Sequence, residues 1–277
     1  MKKGHAVCIG MNNFDPDHYG YEGELHICEK DAEDMYNLLL QNDFESIKLT
    51  TEEATRANVI SAIQNSSKEL KSGDIIVVYY SGHGGKVPDV KSEYDIEYDD
   101  IDETWCLYDA QLLDDELRNL WAGFDEGVRI LLLSDSCHSG SIAKAPISSF
   151  TELPEEDDEY TQVKCISDDT AKETFETNAA FYKKLAEEVN SLPISKVPVK
   201  ASVKQISGCQ DTEYSYTGET NSAFTKVLKD IWDEGNFSGN YKAFYLQIRE
   251  NLFRQHPNLL SVGEDDPEFD AQKPFEI

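Results

Sequence analysis

Ile75-Ile76-Val77-Val78-Tyr79 runs into Tyr80-Ser81-Gly82-His83-Gly84, and Ile130-Leu131-Leu132-Leu133 leads to Asp135-Ser136-Cys137-His138-Ser139-Gly140. Each begins as a short, almost wholly apolar run, the pattern of a strand buried on both faces of a parallel sheet. Each then breaks into small and polar residues, placing a His and a Cys at equivalent strand ends. Open parallel sheets build their sites at the carboxyl ends of the strands. If these two strands are neighbours, an imidazole and a thiol face one another there: a nucleophile beside a base.

The residue types fit that chemistry. A free thiol with a pKa of about 8.5 is only a few per cent thiolate at neutral pH, and a nearby imidazole can take its proton and later protonate a leaving amine. The glycines around both residues allow close backbone approach and leave N–H groups free to bind an oxyanion. A single Cys after a buried strand would by itself read as a small core residue; the His at the end of a second strand argues against that.

With these pieces together, the chain resembles the caspase-like cysteine peptidases, closest to the metacaspases and their bacterial relatives, the orthocaspases. Ser81-Gly82-His83-Gly84 precedes Asp135-Ser136-Cys137-His138-Ser139-Gly140 by close to the roughly 50 residues of the caspase pattern. Cys28-Glu29-Lys30-Asp31-Ala32, Ser207-Gly208-Cys209-Gln210-Asp211 and Ser222-Ala223-Phe224-Thr225 resemble further segments of that family. The resemblance implies an α/β fold of the caspase-hemoglobinase kind: a mostly parallel central sheet with helices on both faces. It implies His83 as general acid and base, Cys137 as nucleophile, and the backbone N–H groups of Gly84 and Cys137 as oxyanion donors. His138, beside the nucleophile, competes for the base role but leaves the strand end in a different direction.

The resemblance also implies a substrate pocket formed by Cys28, Asp31, Ser81 and Asp135. An Asp pair gives an Arg or Lys side chain a charge-assisted partner and repels a carboxylate. The segment after the first strand, Met11-Asn12-Asn13-Phe14, offers no Arg with which to hold an acidic substrate. The other reading takes Asp31 as a helix N-terminal charge and Asp135 as a turn residue.

Charge narrows the partners. A formal net charge of -29 argues against direct nucleic-acid binding, which depends on a basic patch, and suits basic peptides. No apolar stretch of about 18 residues is present, and Met1-Lys2-Lys3-Gly4-His5 runs into a strand rather than a signal-peptide core. A cytoplasmic protein without membrane association is the expectation, and oligomeric state is open. Six cysteines lack paired metal-binding spacing and suit reduced thiols. No cofactor is expected to be required. Asp95, Asp99, Asp100 and Asp102, within the acidic stretch Glu93 to Glu103, could hold a hard cation with Asp114 and Asp115. Asp114-Asp115-Glu116-Leu117 resembles part of a calcium site of some metacaspases, although Lys144 stands where those enzymes place another Asp.

The periodicity predicts strands at His5–Gly10, Ser46–Leu49, Ile75–Tyr80, Arg129–Leu133 and Val203–Ser207. Helices are expected at Asp31–Gln41, Thr55–Leu70, Leu112–Phe124, Ser222–Asp233 and Tyr241–Arg254. A final strand is expected at Lys273–Ile277. The whole chain, 1–277, reads as one peptidase domain: a large catalytic part at 1–146, a linker or insertion at 147–200 and a small part at 201–277. The linker is acidic at Glu152 to Glu159, helical at Asn178–Asn190 and extended around Pro193 and Pro198. It offers Lys164, Lys172, Lys183, Lys184, Lys196 and Lys200 as sites of self-cleavage; the alternative is a surface insertion that is never cut.

The leading functional expectation is a cysteine endopeptidase cutting after Arg or Lys, activated by self-cleavage in the linker. A catalytically weak caspase-like binding module is the alternative, distinguished by loss of the His/Cys pair, and both residues are present. An unrelated ligand-binding α/β domain would need a glycine-rich phosphate loop after the first strand, which Gly10-Met11-Asn12-Asn13 does not supply.

Overall fold

The computed structural model describes residues 1–88, 101–137, 162–191, 197–210 and 213–277. In chain order its elements are β1 (Gly4–Gly10), α1 (Pro16–Tyr19), α2 (Cys28–Gln41), β2 (Glu45–Thr50), α3 (Arg56–Glu69), β3 (Ile75–Ser81), β4 (Gly84–Pro88), β5 (Ile101–Cys106), β6 (Gln111–Leu113), α4 (Asp114–Ala122) and β7 (Arg129–Asp135). They continue with α5 (Asp168–Thr177), α6 (Ala179–Ser191), β8 (Ser202–Ser207), α7 (Ala223–Trp232), α8 (Tyr241–Asn251), β9 (Asn258–Gly263) and α9 (Pro267–Ala271).

Six strands form the main sheet in the order β2-β1-β3-β7-β8-β9, parallel except for β9 against β8. The central strands are buried on both faces because successive side chains alternate between two cores. Ile76, Val78, Tyr80, Ile130 and Leu132 pack with Val59 and Ile63 of α3 and Leu117, Leu120 and Trp121 of α4. Ile75, Val77, Tyr79, Leu131 and Leu133 pack on the other face with Met35 and Leu39 of α2, Phe224 and Leu228 of α7, and Phe244 and Ile248 of α8. Burying an aliphatic or aromatic side chain of this kind contributes about 1.5–3 kcal/mol. A one-residue slip of β7 would exchange its two apolar sets between faces, so the register is strongly specified. That register pairs Ser81 with Asp135 and levels the two strand ends that carry His83 and Cys137.

Three differences from the sequence reading have physical causes. Leu112 and Leu113, expected to open a helix, belong to strand β6, which pairs with β5; α4 begins only at Asp114, where Glu116 accepts from the Leu113 N–H at 3.1 Å. The antiparallel sheet β4-β5-β6 went unseen because Gly84-Gly85-Lys86 has no alternating pattern; it takes in Asp102 and Glu103 of the acidic stretch. Lys273–Ile277 is not a strand. Phe275 has φ of +58° and is buried edge-on against Trp232 at 5.0 Å, while the last strand is β9.

The stretch 162–191 contributes α5 as well as the expected helix. Ser167 caps it, accepting from the Thr170 N–H at 3.1 Å, and Asp168 and Asp169 lie at the positive end of its dipole. Tyr182, Leu185 and Val189 of α6 pack against Val87 and Leu113 of the small sheet. Among the described residues no helix is long and apolar enough to cross a membrane.

Candidate active site

The backbone around His83 is fixed from two sides. Its carbonyl accepts from the Cys106 N–H at 3.1 Å and from the Tyr80 hydroxyl at 2.7 Å. Tyr80 stacks on Trp105, whose indole N–H donates to Ser134 Oγ at 3.0 Å, so the small sheet braces the ends of β3 and β7 together. Gly84 has to be glycine: a Cβ there would lie 1.9 Å from the Cys137 carbonyl oxygen.

Across these strand ends runs a stretch of the chain itself. Residues 162–166 are extended, with Val163 bridged antiparallel to Tyr216 and Cys165 bridged parallel to Gly84. Thr217 N–H donates to the Gln162 carbonyl at 2.9 Å, Lys164 N–H to the Ser215 carbonyl at 2.9 Å, and Ile166 N–H to the Gly84 carbonyl at 3.1 Å. The Lys164 carbonyl oxygen accepts from both Gly84 N–H, at 3.0 Å, and Cys137 N–H, at 3.2 Å. These are the two donors named from the sequence, converging on one peptide carbonyl.

The Lys164 side chain is fully buried. Its Nζ lies 3.1 Å from Asp135 Oδ1 and 3.7 Å from Asp31 Oδ2, and donates to Ser81 Oγ at 2.8 Å. Asp31 also accepts from Ser81 Oγ at 2.8 Å, from Asn221 Nδ2 at 3.0 Å and from the Ser222 N–H at 2.9 Å. Asp135 accepts from Ser215 Oγ and Thr225 Oγ1, each at 2.7 Å. Asp31, Ser81 and Asp135 thus surround one ammonium, with Cys28 beside it and hydrogen-bonded to Ser81. Burial alone would pull the lysine down, but Asp135, Cys28 and Asp31 hold it above the ordinary value and therefore charged. Burial raises Asp31, with the Lys164 charge opposing it.

His83 and Cys137 are both buried and both held neutral. Burial lowers the imidazole to about 4, and the Lys164 charge pushes the same way. Burial raises the Cys137 thiol well above its ordinary value; it is hydrogen-bonded to the thiols of Cys165 and Cys209 and accepts from the Ser215 N–H at 3.1 Å. His83 Nε2 is 3.2 Å from the Gly23 carbonyl, the ring lies beside the Cys165 backbone, and Nδ1 has no hydrogen-bond partner among the described residues. A ring nitrogen without a partner is what a proton acceptor needs.

Sequence reasoning reached all the residues around the ammonium but not the ammonium itself, since Lys164 was one of six candidate lysines. Lys172, Lys183, Lys184 and Lys200 are exposed, and Lys196 lies outside the described residues. Ser215, Asn221 and Ser222 also went unnamed as pocket residues; only Ser222 and Thr225 stood within a quoted motif. His138, Lys144, Asp95, Asp99 and Asp100 lie outside the described residues, and among the described residues no cluster of three or more His, Cys, Asp or Glu could hold a metal ion. None of the six cysteines is joined in a disulfide.

The family model for the caspase domain matches residues 3–270. Metacaspase-1A of Aspergillus oryzae is 31% identical over 153 residues, 51% of this chain and 35% of that protein. Metacaspase-4 of Arabidopsis thaliana is 32% identical over 170 residues, 57% of this chain and 39% of that protein. The match thus spans well under half the length of these relatives. The crystal structure of protein GSU0716 from Geobacter sulfurreducens is similar throughout, with a TM-score of 0.86 and 40% identity over 99% of this chain and 98% of that one.

Proposed function

This chain belongs to the caspase-domain family, and from that premise we propose that it is a caspase-like cysteine endopeptidase cutting after Lys or Arg, with the Lys164–Cys165 bond as its own first substrate. One observation carries the reading: a lysine of the chain has its ammonium between two buried carboxylates while its carbonyl oxygen sits between two backbone N–H groups. Residues 162–164 pair with 215–217 as an added strand, the way extended peptides are recognised through their backbone.

In the proposed reaction His83 takes the Cys137 proton as Sγ attacks the Lys164 carbonyl carbon. Because thiol and imidazole start neutral in a desolvated site, the proton moves with the attack rather than before it. Charge developing on the carbonyl oxygen meets the Gly84 and Cys137 N–H groups already within 3.2 Å, so no reorganisation is needed. His83 then gives the proton to the Cys165 nitrogen, the amine leaves, and water hydrolyses the Cys137 thioester. In trans an Arg or Lys side chain takes the pocket that Lys164 fills in the intact chain, which makes self-cleavage the step that opens the site.

Intact-mass measurement on the purified chain tests this. Two fragments divided after Lys164 are expected, with none from Cys137→Ala. Fragments appearing equally in Cys137→Ala would assign the cut to another protease. A panel of fluorogenic peptides ending in Arg, Lys or Asp reads the specificity, and preference for Asp would overturn the acidic pocket.

A further inference from the structure

The residue after Lys164 is itself a cysteine, and its thiol is hydrogen-bonded to the Cys137 thiol. The chain beyond it is held by contacts of its own. Ile166 N–H donates to the Gly84 carbonyl, the Ile166 side chain is buried with Phe14, Tyr19 and Cys106, and Ser167 caps α5. Once the Lys164–Cys165 bond breaks, these contacts keep the new N-terminal cysteine beside the acyl group, where a tethered nucleophile competes at high effective concentration. While the segment stays in place water has little access, since Cys137 is only 1% exposed in the intact chain.

From this placement we infer that the site also joins peptides: the Lys acyl group on Cys137 is captured by an N-terminal cysteine, first Cys165 and, after it leaves, the cysteine of another peptide. The inference rests on the acyl-enzyme of the function proposed above. The acceptor thiol attacks the thioester carbonyl, the bond to Cys137 Sγ breaks, and the acceptor's proton returns to Cys137 through His83. The acyl group is now a thioester on the acceptor cysteine. That cysteine's own α-amine attacks the same carbonyl through a five-membered ring, the C–S bond breaks, and the amine's proton passes to the sulfur. An amide and a free thiol result. No water, oxidant or reductant is consumed. The thiol takes the first step because sulfur is the stronger nucleophile, and only an N-terminal cysteine carries thiol and amine on adjacent carbons.

The test supplies the self-processed enzyme with acetyl-Gln-Val-Lys-aminocoumarin as acyl donor and one of three acceptors: Cys-Ile-Ser amide, Ser-Ile-Ser amide or N-acetyl-Cys-Ile-Ser amide. Coumarin release reads acyl-enzyme formation, and mass spectrometry reads joining. The Cys peptide is expected to give acetyl-Gln-Val-Lys-Cys-Ile-Ser amide at least tenfold above the other two. Coumarin release with only the free acid formed, or equal joining to the Ser peptide, would overturn the ligase and leave the peptidase standing. Failure of coumarin release from both this donor and its Arg counterpart would remove both. In the intact chain, Cys165→Ser is expected to drive self-cleavage to completion while the wild type keeps an uncut fraction; equal end points count against the inference.

Discussion

Lys164 and Lys184 lie twenty positions apart in sequence, carry the same charge and face carboxylates, yet their surroundings are opposite. Lys184 lies on α6, about three-quarters exposed, 3.4 Å from Glu188 one turn along the same helix. Lys164 is fully buried between Asp31 and Asp135, which come from the first helix of the main sheet's flank and from the end of β7. An exposed pair one helical turn apart is worth about 0.3–0.5 kcal/mol and is screened by salt. A buried pair responds far more strongly to loss of one partner. Backbone matters as much as charge: a helical lysine has its carbonyl in helix hydrogen bonding, whereas Lys164 is extended and offers its carbonyl to Gly84 and Cys137. For the proposed self-cleavage, the six basic residues are therefore not equivalent candidates: among those described, only the extended Lys164 presents its carbonyl to these two N–H donors.

The contrast breaks first at self-cleavage, where the largest effect is expected. Lys164→Ala should abolish the fragment pair, while Lys172→Ala and Lys184→Ala should leave it unchanged by intact mass; loss of cleavage in Lys184→Ala would end the distinction. His83→Ala should be nearly as severe, since removing one member of a catalytic unit forfeits most of what the unit supplies.

The next largest effect concerns substrates in trans. Asp135→Asn should lower kcat/KM for Arg- and Lys-ending peptides by more than tenfold, about 1.4 kcal/mol, with Glu264→Gln, on an exposed turn after β9, as a control near unity. Equal effects at both positions would show that long-range charge, not the pocket, attracts the substrate.

A pH profile sharpens the comparison between closed and opened sites. In the closed chain burial keeps His83 neutral down to about 4, so self-cleavage of chain isolated uncut should persist at pH 5. Once the segment leaves and water reaches the ring, its pKa returns toward about 6.5. Protonated imidazole cannot accept the thiol proton, so kcat/KM for peptides should fall to a few per cent of its plateau at pH 5. Coincident acid limbs would show that the ring stays dry after processing.

The smallest effect is on stability. Lys184→Ala or Glu188→Ala, made in Cys137→Ala chain to keep it whole, should change unfolding free energy by no more than about 0.5 kcal/mol in a urea titration.

Composition and local pattern determined most of the frame. Doubly buried strands announce themselves as unbroken apolar runs because both alternating faces need apolar residues, and that pattern alone places His83 and Cys137 at strand ends. Asp31 and Asp135 were legible as a pair through the motifs that carry them. The small sheet, β9 and the start of α4 were not, because short strands with glycine or mixed polarity have no period that local reading can separate from turns. What only the tertiary structure decided is which lysine fills the pocket. Lys164 meets Ser81 across 83 positions of sequence, and Asp31 meets Ser222 across 191. Such contacts form because the sheet order brings β3, β7 and the start of α7 together around one buried charge. A lysine's identity is written in the sequence, but whether it is solvated or enclosed by carboxylates depends on residues far along the chain, and that physical difference separates Lys164 from its neighbours.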